Sequence, residues 1–404
     1  MQILIVSQYF WPENFRINDL ASELSARGHS ITVLTGVPNY PQGKFYSGFG
    51  LFSPFKQDFE GVQIFRAPIF PRGNNSSWKL ALNYLSFAFF GSLIGLLFFR
   101  KRYDAIFVFE VSPITVGIPA IAVKMLTRSP IFFWVQDLWP DSLTSVQAVS
   151  SRMILRIIDL LVRFIYNRCH KILVSSESFI EKIIKQRQKK DKIIFFPQWT
   201  EELFQVVSVD DEAPERNDIP PGFCIMFAGN LGFAQSFETI IDAAEKLKKY
   251  NDIKWVIIGD GRMKDWIGKE IINRNLQHSV YLIGSKPLHT MPTYFALADA
   301  LLVSLRKSEI NAMTIPAKIQ SYLACGKPII ASLDGEGQRI IERSQSGLTS
   351  GSGDAEGLAE NVNKLYQMAS KERKLMGTRG KQYSEKFFNR TKLIDRLEDY
   401  FAGH

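Results

Sequence analysis

At 404 residues the chain is longer than one hydrophobic core ordinarily supports, so two domains are expected. Apolar residues make up 46% and charged residues 22%, which excludes a largely disordered chain. The formal net charge of +9 calls for an anionic partner, a phosphorylated substrate or a phospholipid surface.

Nucleic acid is not the partner expected. The basic runs, Arg100-Lys101-Arg102 and Lys185 to Lys192, come without zinc-finger, RNA-recognition or aromatic-plus-basic patterning. Met1 to Val6 lacks the basic start and small-residue cleavage site of a signal peptide and reads as a first strand. Further strands are expected at Ser30 to Thr35, Gly61 to Ala67, Ala105 to Glu110, Ile131 to Gln136 and Lys171 to Ser175. Helical patterns lie between them at Ile17 to Arg27, Val116 to Thr127 and Met153 to Arg168. This alternation means βαβ units and a parallel sheet covered on both faces. Leu80 to Phe99 is uncharged, flanked by Lys79 and by Arg100 to Arg102, and long enough to cross a bilayer. Asn83, Ser86, Gly91, Ser92 and Gly95 dilute it, and DAIFVFE after it reads as another strand of the same sheet. The expectation is a helix with one face on the sheet and the other dipping into an anionic membrane interface; a wholly buried core helix is the alternative.

Asp210 to Gly222 is polar, acidic and proline-bearing, which is linker chemistry, and the domain break is placed there, with residues 1–205 before it and 206–389 after it. The pattern then restarts with a strand at Phe223 to Phe227, a Gly229-Asn230-Leu231-Gly232 turn and a helix from Phe237 to Tyr250. A strand at Lys254 to Ile258, a Gly259-Asp260-Gly261 turn and strands near Val280, Leu301 and Pro328 to Ala331 follow. The closing helix from Arg390, in residues 390–404, is expected to return to the first domain. Cys169, Cys224 and Cys325 are widely spaced, without metal-ligand spacing, and read as reduced thiols of a cytosolic protein.

Candidate chemistry gathers where strands of the second half end. Glycines there let backbone approach a ligand closely, and free N–H groups at helix starts favour a phosphate. Lys286, Arg306, Lys307, Lys318 and Lys327 surround these turns. Lys318 follows Pro316 at a helix start, where the dipole disfavours a cation unless an anion shares the site. No metal ligands are evident, so lysine, arginine and main-chain amides would carry a leaving diphosphate. Asp137 follows a buried strand and could hydrogen-bond a sugar hydroxyl or simply cap its own turn.

FAGNLGFAQSFETIIDAA, IIGDGRMKD, LIGSKPLHTMPTYFALADALLVSLR and PAKIQSYLACGKPIIAS together resemble the donor domain of retaining family-four glycosyltransferases. QYFWPENFRINDLASELSARGHSITVLTGVPNYPQGKFYSGF and WVQDLWPDSL resemble the WbuB-type subgroup, associated with L-fucosamine transfer in O-antigen and capsule synthesis. The resemblance implies an α/β chain of GT-B fold, two Rossmann-like doubly wound domains facing each other across a cleft. It implies a metal-free enzyme with no cofactor beyond the UDP-sugar substrate. The acceptor would be a polyprenyl-diphosphate-linked glycan, and the enzyme would sit peripherally at the inner face of the bacterial cytoplasmic membrane. By position, Gly284, Ser285, Lys286 and Pro287 would meet the base, Arg306 and Lys318 the diphosphate and donor sugar, and Gly229, Asn230, Gly261 and Arg262 would flank the phosphates. Glu13, Asn14 and Arg16 stand in the loop that closes over the donor; Glu13, Asn39, Tyr40 and Asp137 would face the acceptor, with Asp137, Arg306 and Lys318 as the catalytic set. The family's phosphate-clamping Arg and Lys are replaced by Asn230 and Gln235, and its paired glutamates by Met313 and Ser321. Ser321 would take part of the ribose contact, with Glu309 or Glu336 supplying a carboxylate. A different UDP- or GDP-sugar donor, or a non-catalytic nucleotide-binding subunit, are the alternatives.

Overall fold

Residues 1–50, 55–73, 77–145 and 151–403 are described by the computed structural model; His404, the end of the expected closing helix, falls outside them. The apolar runs form strands because turn residues bound each one and the helix that follows shields it. In the first half these are β1 (Gln2–Val6), β2 (Ser30–Gly36), β3 (Lys56–Phe59), β4 (Val62–Ala67), β5 (Ala105–Glu110), β6 (Ile131–Val135), β7 (Lys171–Val174) and β8 (Ile193–Phe195). The second half has β9 (Phe223–Ala228), β10 (Ile253–Ile258), β11 (Val280–Gly284), β12 (Ala300–Ser304), β13 (Ile329–Ser332) and β14 (Gly347–Ser350). The two sheets run β3-β4-β2-β1-β5-β6-β7-β8 and β11-β10-β9-β12-β13-β14. Among these strands every pairing is parallel except β3 with β4. β5 and β6 are buried at every position, as parallel strands covered on both faces must be.

Strand order reverses between β1 and β5 in the first sheet and between β9 and β12 in the second, the places where open α/β sheets leave a crevice at their carboxyl edge. Right-handed crossovers put the Ser77–Phe98, Gly117–Thr127 and Arg152–Arg168 helices on one face of the first sheet. Glycines bring the three together: Gly91 lies against Pro119, Gly95 against Val123 and Gly117 against Ile165. The Arg16–Ala26 helix covers the other face, where the end of the Arg390–Ala402 helix joins it. There Phe401 meets Phe107 and Phe132, and Arg27 bonds Asp395 and Glu398 at 2.6 Å each.

The chain divides into two compact units, Met1–Phe196 with Ile394–His404, and Pro197–Leu393. The division falls ahead of residue 205, and the proline-bearing segment expected to be the linker belongs to the second unit. Its short 3-10 turn, Pro214–Asp218, is tied down because Asp218 accepts hydrogen bonds from Lys286 and Tyr294.

Candidate active site

In the second unit a cavity of about 550 Å³ opens at the carboxyl ends of β9, β10 and β11. Three turns stack to make its floor. Gly229 N–H donates to Ile258 O and Gly259 N–H to Gly284 O, each at 2.9 Å, so the ladder continues past the strands. Gly229 and Gly259 have φ of 137° and 143°, and a Cβ on Gly259 would lie 1.9 Å from Gly229 O. Only glycine fits.

Lys318 forms one wall. It is the second residue of the Ala317–Ala324 helix, whose first N–H groups have no intrahelical acceptor. Its ammonium donates to Gln235 Oε1 at 2.8 Å and lies 3.5 Å from the centroid of the Phe227 ring. Neither contact carries a negative charge. Burial therefore lowers its pKa from the usual lysine range to about 7. A cation held this way gains strongly from an incoming anion.

Of the residues expected at the donor, the cavity is lined by Gly229, Asn230, Ser285, Lys286, Lys318 and Ser321. Gln235 acts through Lys318. Ser321 turns its hydroxyl toward Ala317 O at 3.3 Å, a bond a ligand can displace. Lys286 is neutralised by Asp218 at 2.7 Å. The other basic groups are placed elsewhere. Arg306 lies outside the lining, exposed and paired with Glu238 at 2.6 Å, because the helix starting at Phe237 brings that acid beside it. Arg262 is exposed on its turn, and Gly261, Gly284 and Pro287 shape the backbone without lining the cavity. Lys327 is structural, donating to the carbonyls of Ala296 and Ala298. Glu336 is buried against Arg339, so neither it nor Glu309 supplies a carboxylate to the lining. Glu201 and Asp260 do, and sequence reasoning missed both. Asp260 is engaged by the Gly261 N–H at 2.8 Å.

The first unit has its own polar cluster at the β1/β5 reversal. Glu13 is buried, and its Oε1 accepts the N–H groups of Asn39 and Tyr40 at 2.7 and 2.6 Å. Burial raises its pKa to about 7 despite those donors. Asn39 is used internally as well, accepting from Arg72 N–H at 3.1 Å and donating to Val37 O at 3.1 Å. The two residues therefore build the loop rather than present side chains to an acceptor. Tyr40 is partly exposed, its ring among those of Tyr9 and Phe15 with the Arg72 guanidinium 5.2 Å from its centroid. Asn14 is exposed beside this cluster, and Arg16 begins the first helix.

Asp137 is half-buried just after β6, and burial lifts its carboxyl to about 6. Its N–H faces Glu110 Oε2 at 3.4 Å. Glu110 is fully buried at the end of β5, its other oxygen has no hydrogen-bond partner among the described residues, and burial and Asp137 push its pKa well up. Tyr84, hydrogen-bonded to Tyr9 and Ser112, completes the cluster. Glu110 was readable as an acid closing the apolar run AIFVF; Tyr9 and Tyr84 carried no signal.

Known proteins match both halves. Residues 14–199 fit the model of the glycosyl transferase 4-like domain and residues 209–383 that of glycosyl transferases group 1. Over 341 residues the chain is 25% identical to the putative colanic acid biosynthesis glycosyl transferase WcaI of Escherichia coli K12, spanning 81% of this chain and 82% of that protein. Over 145 residues it is 30% identical to the amylovoran biosynthesis glycosyltransferase AmsK of Erwinia amylovora, 35% of this chain and 36% of that one. Among solved structures, Anabaena HepE in complex with UDP superposes with a TM-score of 0.71 at 14% identity over 100% of both chains. Sucrose-phosphate synthase of Thermosynechococcus elongatus gives 0.71 at 15% identity over 100% of this chain and 98% of that one.

Proposed function

We propose that the chain, which has the GT-B fold of two Rossmann-like domains, is a glycosyltransferase that moves a sugar from a UDP-sugar to a lipid-linked acceptor in bacterial surface-polysaccharide synthesis, a reading supported by the match of its two halves to the glycosyl transferase 4-like and group 1 models. The cavity of the second unit takes the nucleotide. The observation that carries this is Lys318, whose ammonium, among the described residues, meets an amide and a ring at the cavity wall and no carboxylate. A diphosphate supplies the missing charge, and the start of the Ala317–Ala324 helix adds N–H donors. Ser321 and Glu201, both in the cavity lining, would share the ribose hydroxyls.

Transfer retains configuration and uses no metal. The acceptor hydroxyl oxygen bonds to the anomeric carbon as the bond from that carbon to the phosphate oxygen breaks. The electron pair leaves with the diphosphate, and a departing phosphate oxygen takes the hydroxyl proton. Lys318 stabilises the leaving charge, and Asp137 orients a sugar hydroxyl. The motif resemblance in QYFWPENF and WVQDLWPDSL favours UDP-N-acetyl-L-fucosamine as donor and undecaprenyl-diphosphate-linked N-acetylglucosamine as acceptor, at the cytoplasmic face of the membrane.

Calorimetric titration with UDP tests the site. Lys318→Ala should weaken binding by about 2 kcal/mol, roughly thirtyfold, the range for a hydrogen bond to a charged group. Arg306→Ala, which breaks only an exposed pair with Glu238, should cost less than about 1 kcal/mol. Wild-type affinity in Lys318→Ala would remove the assignment. Turnover measured side by side on UDP- and GDP-sugars decides the donor, and a larger kcat/KM on another sugar would replace the fucosamine reading alone.

A further inference from the structure

The helical layer of the first unit is apolar on the side that faces away from its sheet. In the Arg152–Arg168 helix, Met153, Ile157, Leu160 and Phe164 are exposed by 71, 59, 64 and 43%. At about 3.6 residues per turn they fall in one stripe, opposite the buried Val162, Ile165 and Tyr166. Arg152, Arg156 and Arg163 border the stripe on one side and Arg168 on the other. The Arg168 guanidinium covers the Phe164 ring at 3.5 Å, a cation whose stem lies along apolar surface. Asp159, the acid of this helix, is paired with Arg163 at 2.7 Å.

The Ser77–Phe98 helix repeats the pattern. Trp78, Leu85, Phe89, Leu93 and Leu96 form an exposed stripe, while Phe87, Gly91 and Ile94 face the protein. Phe99, just beyond it, is buried against Phe65 and takes no part. Between the two, the Gly117–Thr127 helix ends in exposed Met125 and Leu126, and Lys124 reaches Arg168 O at 2.5 Å. Arg100, Lys101 and Arg102 are exposed at the same end of the layer.

We propose that this three-helix face seats on an anionic lipid bilayer. The outward stripes enter the interface and the bordering arginines and lysines meet headgroup phosphates. A layer facing water carries polar residues there, and a helix apolar on its outer side with basic borders is the pattern of an interfacial helix. Charge complementarity selects the occupant, because a second copy of this cationic face would repel the first. The Ser77–Phe98 helix is long and apolar enough to cross a membrane, yet one side of it is spent on the neighbouring helix and sheet, so it lies along the surface. The face suits a lipid-linked acceptor, but its test needs neither sugar nor acceptor.

Flotation of the full chain with vesicles decides it, using phosphatidylcholine alone and phosphatidylcholine with one third phosphatidylglycerol. Wild type should float with the anionic vesicles. The double variant Ile157→Ser/Leu160→Ser should bind at least about tenfold more weakly, since each loses apolar area that would leave water. Arg152→Glu/Arg156→Glu should lose the preference for anionic vesicles, about fivefold or more per arginine. All four side chains point to solvent, so thermal unfolding and UDP affinity should stay at wild-type values, which separates this result from any failure of the donor site. Wild type that ignores both vesicles, or variants that float like wild type, would overturn the proposal. So would a wild-type dimer that these variants dissociate while vesicle binding is unchanged, since the face would then join two copies of the chain.

Discussion

Burial pushes both Lys318 and Glu110 toward their neutral forms, and each makes the protein's behaviour pH-dependent with a definite sign. Lys318 is half neutral near pH 7 when the cavity holds no anion, and a diphosphate beside it favours the charged form. Binding at pH 8.5 should therefore take up close to one proton, and affinity should fall as pH rises above about 7. Calorimetry in buffers of different ionisation enthalpy reads the uptake, and Lys318→Gln should abolish it. Glu110 has a linkage of the same sign, to folding rather than to ligand binding. Its folded pKa lies above the unfolded value, so the folded state binds the extra proton, and stability is lost as pH rises from that unfolded value through the raised one. Glu110→Gln should remove this loss, leaving the variant more stable relative to wild type at pH 8 than at pH 5 in thermal unfolding. Lys318 was legible in the sequence because a cation at a helix start is a local contradiction. Arg306 was not, because its partner Glu238 lies far back in the chain, and proximity in space has no local signature. Glu13 and Asn39 misled for the same reason: polar residues in a loop suggest a ligand until their buried backbone partners are known.

Elements were legible in proportion to the apolar run that makes them. β1, β5 and β6 are nearly continuous hydrophobic strands and stood out, while β8 is only IIF and β14 is the weakly apolar GLTS. β3, KQDF, is an antiparallel edge strand with alternating exposure, held by its pairing to β4 rather than by its own composition. The Glu336–Ser344, Ala355–Gln367 and Ser370–Phe387 helices were not legible because their apolar residues are scattered among charged and polar ones, with no continuous apolar run to mark them. The turn stack under the donor cavity has a strict steric demand. Gly259→Ala would put a methyl 1.9 Å from Gly229 O at a φ of 143°. Such a substitution should cost at least about 2 kcal/mol in urea unfolding and weaken UDP binding with it. Normal stability in that variant would show that the two turns separate freely.

For the molecule as a whole, two α/β halves were legible in the sequence, and Asp210 to Gly222, whose composition is that of a linker, is tied into the second unit through Asp218. Composition reports how soluble and turn-rich a segment is, not which core it joins. The closing helix matters more to the architecture than that segment does. Phe401 is fully buried between Phe107 and Phe132, so Phe401→Ala should destabilise the first unit by about 3–5 kcal/mol, read as an earlier transition in denaturant unfolding. A shift confined to the second unit would assign the helix to the other core.

That arrangement also fixes when the protein can mature. The ribosome finishes Phe196 with one face of the first sheet only partly covered, by the Arg16–Ala26 helix, and Ile394 is not made until the whole intervening unit has been translated. At the usual pace of synthesis the delay is roughly 10–40 s, during which Phe107 and Phe132 stay open to chaperones or to aggregation. A stop codon that removes Ile394 and the residues after it would thus strike the amino-terminal unit, leaving the cavity of the second unit intact on a chain that cannot complete its other half.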